Sequence, residues 1–196
     1  DLHSFPTRRS SDLGNLYRIY PEKRYRKTLA ILQRFAPKGT SILDLGVRNP
    51  FSEVMEKEGY VVSNTEGEDL DLHPETLKDY QGEMVTALEI LEHLVNPFGV
   101  LQQLPAKKLL ITVPLRLWFA KAYRNDKDPR DCHYHEFEDW QLDMLLEKAG
   151  WQIQYREKWT HPVGKLGFRP LLRYFVSRYY AVYAQQMNYQ DRKSVV

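Results

Sequence analysis

The stretch E-M-V-T-A-L-E-I-L-E-H-L-V-N-P, Glu83 to Pro97, decides how this chain is read. Met84 to Leu88 is an apolar run of strand length, and the chain turns acidic at Glu89. Glu92 and His93 follow at a spacing that places them on one face of a helix with Glu89. A strand that delivers two carboxylates and an imidazole to the start of a helix is an unusual use of residues.

The flanking chain supplies the rest of a sheet. Upstream, Ser41 to Gly46 (S-I-L-D-L-G) is a short apolar run bounded by turn residues, hence a buried strand. Phe51 to Lys57 reads as a short helix, Tyr60 to Thr65 as a second strand ending at Glu66, and Gly67 to Leu72 as a brief third. Pro74 to Tyr80 is helical. Downstream, Lys108 to Val113 is a buried strand stopped by Pro114, and Glu138 to Ala149 is a helix with Leu142, Leu145, Leu146 and Ala149 on one stripe. Trp151 to Trp159 and Tyr179 to Ala184 close the chain as strands. Ahead of everything, Pro21 to Phe35 is a helix with Tyr25, Leu29, Leu32 and Phe35 on one side and Lys23, Arg24, Arg26, Lys27 and Arg34 on the other. That basic side is either a solvated face or a lid for an acidic substrate. Strands alternating with helices predict an α/β fold, a doubly wound and mostly parallel sheet with helices on both faces.

Residues 1 to 13 and 191 to 196 resemble reading frames of a short-read sequencing adapter, and both are expected to be non-native tails. Residues 14 to 190 then form a single domain. The formal net charge of +2 gives no support for a polyanion binder by bulk charge. Cys132 is the sole cysteine, so no internal disulfide forms and a reducing, cytoplasmic setting is expected. Nor does any uninterrupted apolar run reach the ~20 residues of a membrane span. The oligomeric state is not readable.

In a sheet of this kind ligands lie beyond the carboxyl ends of the strands, near the first strand-to-helix turn. Asp44 and Gly46 occupy that turn, and Glu66 follows at the spacing of an acid that accepts from ribose hydroxyls. The blocks I-L-D-L-G, G-Y-V-V-S-N-T-E, V-T-A-L-E-I-L-E-H-L-V-N-P, L-L-I-T-V-P and H-E-F-E-x-W-x-L-x-x-L-L-E-K-A-G-W, in this order, resemble a class I S-adenosylmethionine-dependent methyltransferase. The resemblance implies a Rossmann-like sheet with an antiparallel closing strand. It also implies S-adenosyl-L-methionine as cofactor, with the methionine part at the Asp44–Gly46 turn, the ribose on Glu66, and Leu88 and Glu89 beside the sulfonium. Asp69 is the candidate adenine contact. The departure is in the turn: the family usually shows D-x-G-x-G-x-G, and this chain has Asp44-Leu45-Gly46-Val47-Arg48-Asn49-Pro50. Arg48 stands where the second glycine lets backbone approach ligand, and it is expected either to meet the cofactor carboxylate or to mark a non-catalytic binding module.

E-x-x-E-H, Glu89 to His93, further resembles the metal-binding element of two O-methyltransferase groups. One acts on ubiquinone precursors and the other on the terminal 2′-hydroxyl of small RNAs, the latter with a downstream histidine matched here by His135. The implied ligand set is Glu89, Glu92, His93 and His135, for Mg²⁺ or Mn²⁺. His133 competes with His135 for the last place. Without metal, His93 or His135 is the expected general base. The acceptor is a small molecule or an RNA end. Leu115 to His133, with Trp118, Phe119, Tyr123, Arg124 and Arg130, is long enough for a lid. Arg169, Arg173, Tyr174, Arg178, Tyr179, Tyr180 and Tyr183 interleave bases with aromatics, either to bind nucleic acid or simply to build strands.

Overall fold

A computed structural model describes residues 21–127, 131–162 and 166–187. The two adapter-like tails and Arg130 lie outside the described residues. β1 (Ser41–Asp44), β2 (Val61–Asn64), β3 (Met84–Leu88), β4 (Lys108–Pro114), β5 (Trp151–Thr160) and β6 (Ser177–Gln186) form one sheet in the order β2-β1-β3-β4-β6-β5. β1 pairs in parallel with β2 and β3, and β3 with β4. β6 is antiparallel to both β4 and β5 and so opposes the other five.

Alternation along the strands fills two apolar layers. Ile42, Met84 and Leu110 face Ile31 and Leu32 of α1 (Pro21–Phe35) and Phe51 and Met55 of α2 (Pro50–Lys57). Leu43, Val85, Leu109 and Ile111 face the other way, against Leu77 of a 3₁₀ turn (Pro74–Asp79), Leu101 of α3 (Pro97–Gln103) and Leu142 and Leu146 of α4 (Asp139–Lys148). Each such side chain, once fully buried, contributes roughly 1.5–3 kcal/mol. Burial on both faces explains why the central strands read as continuous apolar runs. Trp151, 1% exposed, donates its indole N–H to the Leu101 carbonyl at 3.0 Å and pins β5 to α3. A short helix, α5 (Phe168–Leu172), precedes β6.

Two expectations from the sequence are corrected. Gly67 to Leu72 is not a strand: the Asp69 carboxylate accepts from the amides of Asp71 (3.1 Å) and Leu72 (3.4 Å) and curls the chain into a turn. Glu89, Glu92 and His93 do not share a helix face either. Glu89 adopts φ 60°, a single 3₁₀ turn covers Leu91–His93, and α3 restarts at Pro97 under an Asn96 cap whose side chain accepts from the Gly99 amide at 3.1 Å. Pro97 keeps Asn96 out of the helical region, which separates the two helical pieces. The carboxyl ends of β1, β3 and β4 and the start of β6 thus meet along one edge, with Pro114 in register with Tyr179.

Candidate active site

The turn after β1 is held by one buried acid. Asp44 is 1% exposed, and its Oδ2 accepts from the Ser52 hydroxyl (2.9 Å) and the side-chain amides of Asn49 (3.0 Å) and Asn64 (3.1 Å). Its Oδ1 accepts from the Thr86 hydroxyl at 2.6 Å. Burial pushes the Asp44 carboxyl up, and these four donors offset part of the rise. Asn49 also caps α2, accepting from the amides of Phe51 (2.9 Å) and Ser52 (3.3 Å). Gly46 takes φ 93° and donates its amide to the Thr65 hydroxyl at 2.8 Å; a Cβ there would meet Ile90 Cδ1 at 3.4 Å. Arg48 is exposed and its guanidinium grips Glu56 of α2 through two bonds of 2.7 and 2.6 Å. The missing glycines are thus replaced by a side-chain frame, and the long cation is engaged by the helix.

At the end of β2, Glu66 is exposed and its carboxylate makes no hydrogen bond among the described residues. Its amide donates to the Tyr80 hydroxyl at 3.2 Å, and that hydroxyl donates to Glu68. Burial and the Glu68 carboxylate push the Tyr80 phenol up to about 12. Burial alone would raise Glu68, but Tyr80 and the neighbouring backbone amides bring its carboxyl below the usual value. Glu68 Oε2 is buried and has no hydrogen-bond partner among the described residues. Asp69, the sequence candidate for adenine, is exposed and holds the turn through its Oδ1. Glu68 had no sequence signal beyond lying two residues past Glu66.

The third part lies past β3 and β4. Leu88 is half-buried and packs in the α1-side layer. Glu89, at its left-handed φ, accepts from the Thr112 hydroxyl at 3.0 Å and pairs with Arg24 of α1 at 3.4 Å. Burial works against the Arg24 charge, but Glu89 and the phenols of Tyr179 and Tyr25 outweigh it and hold its pKa up. Glu92 is 1% exposed, and its Oε2 has no hydrogen-bond partner among the described residues. Burial, reinforced by the Glu89 carboxylate, holds the Glu92 carboxyl well above the usual range.

Two histidines face Glu92. His93 Nδ1 lies 3.0 Å from the Cys132 carbonyl, so it carries the proton and leaves Nε2 as the acceptor, 3.9 Å from Glu92 Oε1. Burial and the neighbouring His133 lower the His93 pKa. His133 Nδ1 lies 2.8 Å from Glu136 Oε1, and its ring meets His93 edge-on at 5.0 Å. The ligand atoms of Glu92, His93 and His133 fall within 4.8 Å of one another. His135 is not in this group: its Nε2 faces the Val95 carbonyl at 3.3 Å and its ring stacks on Phe137. The amides of Tyr134 and His135 both donate to the Glu92 carbonyl, at 2.8 and 3.2 Å, and the bend they make turns the two histidines apart. Glu89 is also outside it, committed to Thr112 and Arg24.

No protein-family model matches the sequence, and no curated protein does. Solved structures do resemble it. A structure described as a putative S-adenosylmethionine-dependent methyltransferase from Listeria monocytogenes superposes with a TM-score of 0.57 at 12% identity, covering 84% of this chain and 99% of that one. A SAM-dependent methyltransferase from Archaeoglobus fulgidus gives 0.52 at 19% identity over 87% of this chain and 99% of its own. The magnesium protoporphyrin IX methyltransferase of Synechocystis, solved with bound SAM, gives 0.54 at 11% identity over 92% and 87%. Sheet order, the lone antiparallel strand and these superpositions agree: the chain has the fold of the class I S-adenosylmethionine-dependent methyltransferases.

Proposed function

We propose that this protein is an S-adenosylmethionine-dependent methyltransferase that acts on an oxygen nucleophile. The observation that carries the reading is the placement of the Glu92–His93–His133 cluster past β3, one strand away from the Gly46 turn of β1. Bound S-adenosylmethionine supplies an electrophilic methyl group. Glu66, its carboxylate unpartnered at the end of β2, is suited to accept from two vicinal ribose hydroxyls. Gly46 leaves open the space that a side chain would fill beside Ile90. Asp44 is a positioning residue that holds the turn through Asn49, Ser52 and Thr86. Leu88 and Glu89 border the reacting end, where Arg24 and Thr112 fix the Glu89 carboxylate.

On the acceptor side, Glu136 orients His133 so that Nε2 takes the proton of an acceptor hydroxyl, and His93, kept neutral by burial, stands beside it. The cluster also fits a divalent ion: each imidazole has its tautomer set by a second partner, and Glu92 offers an orphaned buried oxygen. Two imidazoles and one carboxylate suit Mn²⁺ better than Mg²⁺. Such an ion, when bound, lowers the pKa of a hydroxyl.

Methyl-labelled cofactor offered with RNA ends, quinone precursors, lipids and sugars should label a hydroxyl acceptor, with roughly 100-fold or more lost in His133→Ala. Label confined to nitrogen or carbon acceptors would remove the oxygen assignment. Mn²⁺ at about 100 times its Kd should stabilise the wild-type protein by about 2.7 kcal/mol. The shift should disappear in Glu92→Gln and His133→Ala and persist in His135→Ala. Thermal melts indifferent to Mn²⁺ and to chelator would refute the ion site and leave the histidine base in place.

A further inference from the structure

Beyond the carboxyl end of β4 lies a cavity of about 280 Å³ whose lining includes Leu117, Lys121, Arg124, Glu136, Arg173 and Arg178. We infer that it takes an oxyanion, phosphate or carboxylate, carried by the methyl acceptor. The acceptor half of that statement rests on the methyltransferase reading; the oxyanion half does not.

Charge is the first argument. Among the described residues four cations line the cavity against one acid, and that acid already has partners: Glu136 Oε1 accepts from His133 Nδ1 at 2.8 Å and from the Tyr123 amide at 3.1 Å. Arg124 pairs with Asp126 at 3.3 Å on the exposed side. Arg178 is fixed, its guanidinium donating to the Leu115 carbonyl at 2.6 Å while its own carbonyl accepts from the Leu115 amide at 2.6 Å. Arg173 is half-buried and makes no side-chain hydrogen bond or ion pair among the described residues. Burial and the nearby Arg178 both depress its pKa. Two guanidinium groups lining one cavity, one of them without a hydrogen bond or ion pair among the described residues, are poorly compensated until an anion joins them. Guanidinium forks match the paired oxygens of phosphate or carboxylate.

Position and size narrow the ligand. Glu136 lines the cavity and also orients His133, so an oxyanion seated there lies next to the histidine that takes the acceptor's proton. The volume suits one compact head group rather than a whole drug-sized ligand. The acceptor is therefore a small molecule with an oxyanion close to its methylated hydroxyl.

The test is calorimetric titration of the full chain with inorganic phosphate and, separately, with acetate, at fixed ionic strength. Saturable binding of one equivalent is expected, weakened about 10-fold or more in Arg173→Gln and partly retained in Arg173→Lys. Preference for phosphate assigns a phosphoryl group to the acceptor, and preference for acetate assigns a carboxylate. Unsaturable heats, or equal affinities in wild type and Arg173→Gln, would overturn the site. Cofactor titrations run alongside separate the two readings. Phosphate or acetate binding without cofactor binding would sink the methyltransferase reading and leave the pocket standing; cofactor binding without either anion would sink the pocket alone.

Discussion

Asp44→Ala should lower the folding stability by about 3 to 5 kcal/mol, read from the urea midpoint of unfolding. The side chain is an acceptor for four donors, and its loss orphans the buried hydroxyls of Ser52 and Thr86 along with much of the hold on Asn49 and Asn64. Asp44→Asn should be far milder. Its oxygen can keep the three donors on the Oδ2 side, and its amide then faces Thr86, whose hydroxyl can rotate to accept. Both variants also lose a pH dependence that the wild-type protein has. Burial raises the folded pKa of Asp44, so its contribution is complete below the ordinary value of 3.8 and declines as pH rises through the folded value. Either substitution removes that slope. An alanine variant as stable as wild type would mean that the Asn49–Ser52–Asn64 frame does not depend on the carboxylate.

Glu66→Ala should weaken S-adenosylmethionine binding by about 10- to 100-fold with little change in stability. Charge-assisted bonds to two hydroxyls are worth roughly 1.5–3 kcal/mol together after desolvation. Glu66 is exposed and its carboxylate holds nothing else in the fold, so the loss should appear in affinity and leave the melting temperature nearly unmoved. Arg48→Gly is the matching control. Because Arg48 is engaged with Glu56 on α2, removing it should leave the cofactor affinity within about twofold. A large gain in that variant would instead assign the missing glycine as the defect of a degenerate loop.

The sheet was legible because its central strands are buried on both faces, which forces apolar runs between turn residues. The Glu138–Ala149 stripe was legible for the equivalent helical reason. What the sequence hid were effects of single side chains on the backbone. Asp69 turns a strand-like run into a turn by capping two amides. Glu89 takes a left-handed conformation that no residue pattern announces, and so breaks the helical face implied by E-x-x-E-H. Of the candidate site, spacing put Asp44 and Gly46 at the turn after β1, where the structure has them, and proposed Glu66 for the ribose. His133 could not be separated from His135, because the choice depends on a bend made by two amides converging on the Glu92 carbonyl. Arg24 was visible only as part of a basic helix face, and its pairing with Glu89 needs the packing of α1 over the sheet edge. Arg48 looked like the main obstacle to a cofactor until Glu56 was placed beside it.

The central claim is cofactor binding at the edge formed by β1, β2 and β3. Isothermal titration of the wild-type protein with S-adenosylmethionine tests it most directly. The expected result is saturable, one-to-one binding in the micromolar range that is weakened in Glu66→Ala; absence of heat together with an unmoved melting temperature at millimolar cofactor would contradict it.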